Sequence, residues 1–132
     1  MMDLAEIEER VLTELEWAGE ENLPTLLNTI LDPNGSRDEV KLLQTSLEGL
    51  LHRGLVAVAV ERDESKNLVA LSTEASLTIL ANLEKHLAFD SRHSHWTGRE
   101  RPWPNVVSTS EGKAKGRQVM DRRGYQWWRA KE

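Results

Sequence analysis

The chain has no cysteine, one phenylalanine, one tyrosine and no apolar run near the roughly 18 residues that a membrane-spanning helix needs. The absence of cysteine excludes a disulfide framework, a thiol nucleophile and a cysteine-ligated zinc site, and it fits a reducing compartment. Residues 1–6 are acidic and lack the basic segment that opens a signal peptide. We therefore expect a cytoplasmic protein that does not associate with membranes.

Signatures of catalysis are also missing from the sequence. It contains no glycine-rich phosphate loop, no nucleophile elbow and no H-E-x-x-H metal motif. The imidazoles of His86, His93 and His95 are of a type that binds zinc or copper, but no cysteine or spaced carboxylate cluster accompanies them. We interpret them as polar loop residues. We expect neither an enzyme nor a bound cofactor or metal.

The composition that remains is typical of one globular unit, with 132 residues of which 39% are hydrophobic and 30% charged. Residues 1–89 carry 17 acidic and 7 basic side chains, a net charge of −10, whereas residues 90–132 carry 10 basic and 5 acidic side chains, a net charge of +5. Four of the five tryptophans also lie in the second range. The sequence thus predicts an acidic domain, residues 1–89, followed by a basic, tryptophan-rich C-terminal extension, residues 90–132.

Three helices are predicted in the first half of the chain. Apolar residues at helical spacing over residues 4–18 oppose a row of glutamates, which we interpret as the solvated face of a first helix that ends at Gly19. Asn22 is a candidate cap for a short second helix. Ser36 and Glu39 have the spacing of a capping box at the start of a third helix that ends at Gly54. The inward stripe of the third helix consists of Val40, Leu43, Leu47, Leu50 and Leu51.

A hairpin and a fourth helix are predicted next. Residues 55–60 and 67–71 are rich in β-branched residues, are too short for core helices, and flank a polar stretch. Ser72 caps a fourth helix that runs to about residue 89. The inward residues of that helix are Leu77, Leu80, Leu83 and Leu87. The predicted fold class is therefore mainly α with a small β-hairpin.

The order helix, helix, helix, hairpin, helix is that of a winged helix-turn-helix domain. Residues 47–56, LEGLLHRGLV, resemble the end of the recognition helix and the entry to the wing in MarR-like bacterial regulators. Residues 68–75, LVALSTEA, resemble the exit from the wing. The resemblance covers about residues 3–89 and is at superfamily level, and its motifs are mostly structural. It implies a winged helix-turn-helix followed by a C-terminal extension.

The resemblance also implies that the third helix enters the major groove of DNA. Its candidate contacts are Arg37, Lys41, Gln44 and Thr45. However, the outward positions of this helix have a formal charge of −1, and the hairpin tip, residues 62–66, is neutral. The domain alone therefore departs from the basic surface that phosphate binding favours.

The extension contains two kinds of candidate contact. Residues 105–108 are extended in character, and a helix is predicted near residues 111–123, although Gly112 and Gly116 disfavour it. Its basic candidates for phosphate contact are Lys113, Lys115 and Arg117. Its aromatic candidates for contact with the domain, a second subunit or another protein are Trp96, Trp103, Tyr125, Trp127 and Trp128.

Two functions follow from these patterns. The first is a winged-helix transcription regulator, expected to be dimeric, that binds duplex DNA through the third helix, with phosphate or oligomer contacts from the extension. The alternative is a winged-helix module without DNA binding that acts in protein interaction or assembly through the tryptophan- and arginine-rich extension. The expected partners are duplex DNA in the first case, and a second copy or another protein in the second.

Overall fold

A computed structural model describes residues 3–62, 67–99 and 101–129, and in them the chain forms five α-helices and six short strands. Two 3₁₀ turns, Leu83–His86 and Trp127–Arg129, complete the regular structure of these ranges. The helices are α1 (Leu4–Ala18), α2 (Leu23–Ile30), α3 (Arg37–His52), α4 (Thr73–Ala81) and α5 (Ser110–Arg123). The strands are β1 (Glu20–Asn22), β2 (Val56–Arg62), β3 (Asn67–Ala70), β4 (Leu87–Asp90), β5 (His95–Gly98) and β6 (Asn105–Ser108).

The strands form two antiparallel sheets. Four strands pair in the order β1-β6-β2-β3, and β4 pairs with β5 in a separate hairpin. The predicted hairpin is therefore present as β2 and β3, and the tip that joins them, residues 63–66, lies outside the described residues. The predicted combination of helices with a small antiparallel hairpin is confirmed at this coarse level.

The predicted extension is part of the same sheet as the residues that precede it. Strand β6 lies between β1 and β2, so that Val106 pairs with Glu21 on one side and with Val58 on the other. The domain boundary predicted at residue 89 falls inside β4. Local composition did not reveal that the two ranges share one sheet, because β6 pairs with strands that are about 50 to 85 residues away in the sequence.

The predicted end of the first helix and the predicted cap of the second are confirmed. Gly19 ends α1 with a φ of 84°, a left-handed conformation that glycine adopts without strain. Asn22 accepts a hydrogen bond from the Thr25 amide at the start of α2. Pro24 lies in the first turn of α2, where its missing N–H leaves no intrahelical bond unmade.

The capping box predicted for α3 is wrong. Ser36 forms no side-chain cap hydrogen bond. The carboxylate of Glu39 accepts hydrogen bonds from the backbone amides of Asn34 and Gly35, and from Nε1 of Trp96 at 3.1 Å. Because Glu39 is only 6% exposed, these donors compensate for burying its charge. The glutamate thus holds the loop before α3 to a tryptophan of the extension.

The core predicted beneath α3 is confirmed. Leu43, Leu47 and Leu50 are at most 1% exposed, and they belong to one hydrophobic cluster with the inward residues of α1. From β2, Val56 and Val58 join this cluster. The inward side chains of α3 are therefore buried in the core, and neighbouring elements determine how much of its outer face is exposed.

The fourth helix is shorter than predicted, which corrects its end at about residue 89. It ends at Ala81, and Asn82 follows as its cap, donating a side-chain hydrogen bond to the Thr78 carbonyl at 2.8 Å. Leu83 and Leu87 are buried as predicted, but Leu83 lies in a 3₁₀ turn and Leu87 in β4. The apolar spacing identified which residues are buried, but it did not distinguish a continuous helix from a turn and a strand.

The helix predicted in the extension is present as α5, with Thr109 as its cap. Gly112 and Gly116, which disfavour a helix by propensity, allow close approach of backbones here. A Cβ atom at Gly112 would overlap the carbonyl oxygen of Leu55, and one at Gly116 would lie 2.6 Å from the carbonyl oxygen of Leu12. The two glycines therefore allow α5 to pack directly on α1 and on the start of β2.

Within residues 3–62, 67–99 and 101–129, no helix has the length and apolar character needed to cross a bilayer.

Candidate functional site

The arginines of α5 face the glutamates of α1. Three arginines of α5 pair with three glutamates whose side chains are 14 to 25% exposed. The pairs are Arg117 with Glu16 at 3.0 Å, Arg122 with Glu9 at 2.6 Å, Arg123 with Glu6 at 2.8 Å and Arg123 with Glu9 at 2.7 Å. The interpretation of the glutamate row as a solvated helix face is therefore wrong, because α5 covers it.

These contacts set the ionisation of the glutamates. Burial alone raises the pKa of Glu6, but hydrogen bonds from Arg10, Arg123 and Trp127 outweigh it and bring the pKa below its ordinary value. Burial also raises the pKa of Glu9, but the guanidinium groups of Arg123 and Arg122 lower it by more. The pKa of Glu9 in the folded protein is therefore below its ordinary value. The folded state therefore favours the ionised form of both groups.

The aromatic residues near the C-terminus complete the cover over α1. Trp127 donates its indole hydrogen bond to Glu6 at 2.9 Å, and the guanidinium of Arg123 lies 4.1 Å from its ring centroid. Trp128 donates to the carbonyl of Thr29 at 3.2 Å. Three of the predicted partner-contact residues, these two tryptophans and Tyr125, thus contact their own chain.

The other two predicted contact residues, Trp96 and Trp103, lie on or after the β4–β5 hairpin. Trp96 is 7% exposed and packs edge-on against Phe89, with ring centroids 5.2 Å apart. Trp103 is half-buried, and the guanidinium of Arg101 lies 4.4 Å from its ring centroid. These tryptophans hold the hairpin and the segment after it in place.

The predicted phosphate contacts on α5 are in two different situations. Lys113 and Lys115 are exposed, and neither forms an ion pair with any residue the structure describes. Arg117 is also exposed, but it holds the ion pair with Glu16. An arginine already paired in this way has to give up its carboxylate to meet a phosphate, so its contribution to nucleic-acid binding is reduced.

A different set of basic side chains borders the exposed face of α3. Two adjoining clefts, of about 480 and 320 Å³, run between α3 and the segment from α4 to β5, and they share Val40, Glu84 and Lys85. We call this feature the α3 groove. Its exposed basic side chains are Arg37, Lys41, Lys85 and Arg99, and its one acidic lining residue is Glu84.

Of the four predicted α3 contacts, the structure places Arg37, Lys41 and Gln44 in the groove, whereas Thr45 is half-buried and lines neither cleft. Gln44 donates to the Glu48 carboxylate at 3.5 Å, a long and therefore weak hydrogen bond. The two exposed basic residues of α3 have no carboxylate partner among the described residues.

Sequence reasoning missed Lys85 and Arg99 as members of this groove. Lys85 lies in the 3₁₀ turn, in a segment predicted as continuous helix. Arg99 follows β5, and its backbone amide donates to the His86 carbonyl at 3.2 Å, which fixes its position beside the turn. Lys85 precedes the β4–β5 hairpin and Arg99 follows it, so the hairpin brings both residues beside α3. No local spacing in the sequence predicts this hairpin.

A second cluster of ionisable groups lies at the junction of α1, β1 and the C-terminal end. Tyr125 donates its hydroxyl hydrogen bond to Glu14 at 3.0 Å, and Glu14 is 4% exposed. Burial, together with the hydrogen bond and charge of Glu14, raises the pKa of Glu21 to about 7. Burial and the same carboxyl raise the pKa of Tyr125 to about 12. The folded state thus favours the protonated form of both Glu21 and Tyr125.

The histidines considered as metal ligands are arranged as follows. His93 contacts Asp90 through Nδ1 at 2.8 Å, and its ring lies 5.7 Å from that of His95. In the described portion of the chain, no group of three or more histidine, aspartate or glutamate side chains is placed to hold a metal ion. The structure therefore identifies no metal centre in these ranges.

No protein-family model, curated protein or solved structure matches this chain. Its function therefore has to be inferred from its own side chains.

Proposed function

We propose that the protein is a winged-helix module that binds duplex DNA through the α3 groove. The observation that carries this proposal is the division of the basic side chains. Those of α5 that face α1 are paired with glutamates, whereas the four that border the groove have no carboxylate partner among the described residues. Exposed cations without a carboxylate partner gain most from meeting phosphates.

The arrangement of elements supports the same proposal. Helix α2, the turn before residue 37 and α3 are followed directly by the β2–β3 hairpin, which is the order of a winged helix-turn-helix. In that class the second helix of the pair enters the major groove and flanking segments contact the backbone. Here Arg37 and Lys41 would contact bases or phosphates, and Lys85 and Arg99 would contact the backbone beside α3.

The charge of the groove sets the expected strength of binding. Four basic side chains stand against one acidic lining residue, Glu84. Because each phosphate contact releases counterions, the affinity is expected to fall steeply as salt rises, by about 0.9 log units per log unit of salt for each contact. The roles of transcription regulator, dimer and cytoplasmic protein remain predictions from the sequence.

The alternative function, assembly through the extension, is less favoured. Its proposed contact residues Tyr125, Trp127 and Trp128 make hydrogen bonds within the chain. A partner would have to displace these contacts before it could use the same side chains. The alternative therefore requires an opening step that DNA binding through the α3 groove does not.

Fluorescence anisotropy with a labelled random-sequence duplex at about 50 mM salt tests the proposal. The double variant R37Q/K41Q is expected to bind more weakly than the unchanged protein and to show a shallower salt dependence. The matched control is K113Q/K115Q, which removes the same charge from exposed positions on α5. Failure of the unchanged protein to bind at this salt, or equal losses in both variants, would contradict the proposal.

A further inference from the structure

Trp96 connects the β4–β5 hairpin by hydrogen bonds to both α2 and α3. Its backbone amide donates to Oδ1 of Asn28 at 2.7 Å, and its carbonyl oxygen accepts from Nδ2 of the same side chain at 2.9 Å. Its indole Nε1 donates to Oε1 of Glu39 on α3 at 3.1 Å. Among the described residues, every hydrogen bond that joins β4 or β5 to these two helices involves Trp96. One residue therefore fixes β5 relative to both helices.

The indole hydrogen bond of Trp96 is directional and shielded from water. Trp96 is 7% exposed and Glu39 is 6% exposed. The same carboxylate oxygen, Oε1, accepts from the backbone amides of Asn34 and Gly35. A hydrogen bond to a charged acceptor is stronger than one between neutral groups, and a buried donor that loses its partner is costly. The indole ring is therefore held in one place beside the start of α3.

Arg99 lies three residues after Trp96, just beyond the end of β5. It lines the larger cleft of the α3 groove together with Trp96 and Arg37. The Arg99 side chain is exposed, and its Nε lies 3.4 Å from the carbonyl oxygen of Glu84, which is a long and therefore weak hydrogen bond. The position of this guanidinium therefore depends on the path of β5.

Lys85, the other basic residue on this side of the groove, is held in a different way. It lies in the 3₁₀ turn, between Leu83 and Leu87 in the sequence. These two leucines are 1% and 2% exposed and belong to the hydrophobic core. Their packing fixes the turn whether or not Trp96 keeps its hydrogen bonds. Lys85 and Arg99 therefore offer a comparison within one groove.

We propose that Trp96 is the positioning residue that places Arg99 for contact with a DNA phosphate, across the cleft from Arg37. This inference rests on the proposed function, because it assigns Arg99 a role in duplex binding. Asn28 holds the strand and Glu39 holds the indole, so Arg99 stays at a fixed separation from the cations of α3. Because phosphates are regularly spaced along a duplex, a displaced cation loses its contact although its charge remains.

A double-mutant cycle on duplex binding tests this inference. W96F removes the indole N–H and keeps an aromatic ring, and R99Q removes the cation. At about 50 mM salt we expect R99Q to weaken binding about tenfold through loss of one phosphate contact, and W96F to weaken it by up to the same factor. In W96F/R99Q the Kd is expected to stay within about twofold of that of R99Q, because no cation is left to be misplaced. In K85Q, W96F is expected to keep its full effect.

The matched control is W103F. Trp103 packs on Gly98, where an added Cβ atom would overlap its Nε1, but this Nε1 has no hydrogen-bond partner among the described residues. W103F therefore removes the same ring atoms near Arg99 without breaking a hydrogen bond, and it is expected to change the Kd by less than about twofold. N28A removes the other link of Trp96 and is expected to reproduce the pattern of W96F, so the test does not depend on the folding of one variant.

Amide hydrogen exchange supplies a measurement that does not need DNA. The Arg99 amide donates to the His86 carbonyl at 3.2 Å, and its exchange is expected to be about tenfold faster in W96F than in W103F. Equal exchange rates in these variants, or an equal loss of binding from W96F with and without R99Q, would overturn the inference. Absence of duplex binding by the unchanged protein would contradict the proposed function and the DNA contact of Arg99 with it. The exchange rates would then still decide whether Trp96 holds Arg99 in place.

Discussion

The two sides of the molecule use basic residues differently. On the α1 side, arginines of α5 meet glutamates that are mostly covered. The ring of Trp127 lies against the guanidinium of Arg123, and its indole N–H donates to the Glu6 carboxylate. On the α3 side, Arg37 and Lys41 are exposed and unpaired within the described structure. The charge asymmetry along the sequence therefore contributes to folding on the α1 side, and our proposal assigns the exposed basic side chains of the α3 side to DNA binding.

Part of the positive charge of the basic extension is paired within the folded chain. Its net charge of +5 suggests a phosphate-binding tail when the sequence is considered alone. In the folded chain, Arg117, Arg122 and Arg123 complement the acidic first helix. The basic residues that we propose for DNA binding come from both sequence ranges, Arg37, Lys41 and Lys85 from the first and Arg99 from the second.

The largest expected effect comes from removing the extension. Loss of residues 96–132 takes away β6, the strand between β1 and β2, and the buried indole of Trp96. The sequence alone predicts that this truncation lowers the oligomeric state or the solubility. With β6 inside the sheet, we expect loss of cooperative folding, measured as loss of the thermal transition by circular dichroism. A truncated chain that keeps this transition would show that the extension is separable.

The second largest loss of stability is expected from adding a methyl group where α5 packs closely on the residue before β2. In G112A the added methyl group meets the Leu55 carbonyl oxygen, so the backbones have to separate. We expect the free energy of unfolding to fall by about 1 to 3 kcal/mol, measured by urea denaturation. K113A, one residue along on the exposed face of α5, is the control and is expected to stay within about 0.5 kcal/mol. Equal stabilities would mean that α5 does not pack this closely.

The smallest effect is expected from the ion pairs on α1, and it depends on pH. The pKa values of Glu6 and Glu9 are lowered in the folded state, so their stabilisation is present above the ordinary pKa of 4.5 and is lost as pH falls below it. E9Q is expected to lose up to about 1 kcal/mol per pair at neutral pH, because the pairs are partly exposed.

Urea denaturation of the unchanged protein and E9Q at neutral pH and near pH 3 measures this effect. The difference between the two proteins should shrink in acid. A constant difference across this range would show that the ion pairs of Glu9 do not contribute through its charge. E111Q, at an exposed position in the first turn of α5, serves as the control for a general loss of negative charge.

Local signals in the sequence predicted the five described helices, the β2–β3 hairpin and β6, but not β1, β4 or β5. The caps Asn22 and Ser72, the end of α1 at Gly19 and the extended piece at residues 105–108 were identifiable because they depend on neighbouring residues. The burial of Leu83 and Leu87 followed from spacing, although their secondary structure did not.

The features that could not be predicted depend on long-range contacts. The position of β6 in the sheet, the bond from Trp96 to Glu39, and the covering of the α1 glutamates all join residues distant in the sequence. The same holds for Arg99 beside Arg37 in the α3 groove. Periodicity identifies an amphipathic face, but it does not say whether water or a distant segment covers the polar side.

The division between paired and available cations is tested most directly by two matched double variants, R122Q/R123Q and R37Q/K41Q, each measured for thermal stability and for the Kd with duplex DNA. We expect R122Q/R123Q to lower the melting temperature and to change the Kd by less than about twofold. We expect R37Q/K41Q to weaken DNA binding and to leave the melting temperature nearly unchanged. If R122Q/R123Q weakened DNA binding as much as R37Q/K41Q, the division of the two surfaces would be contradicted.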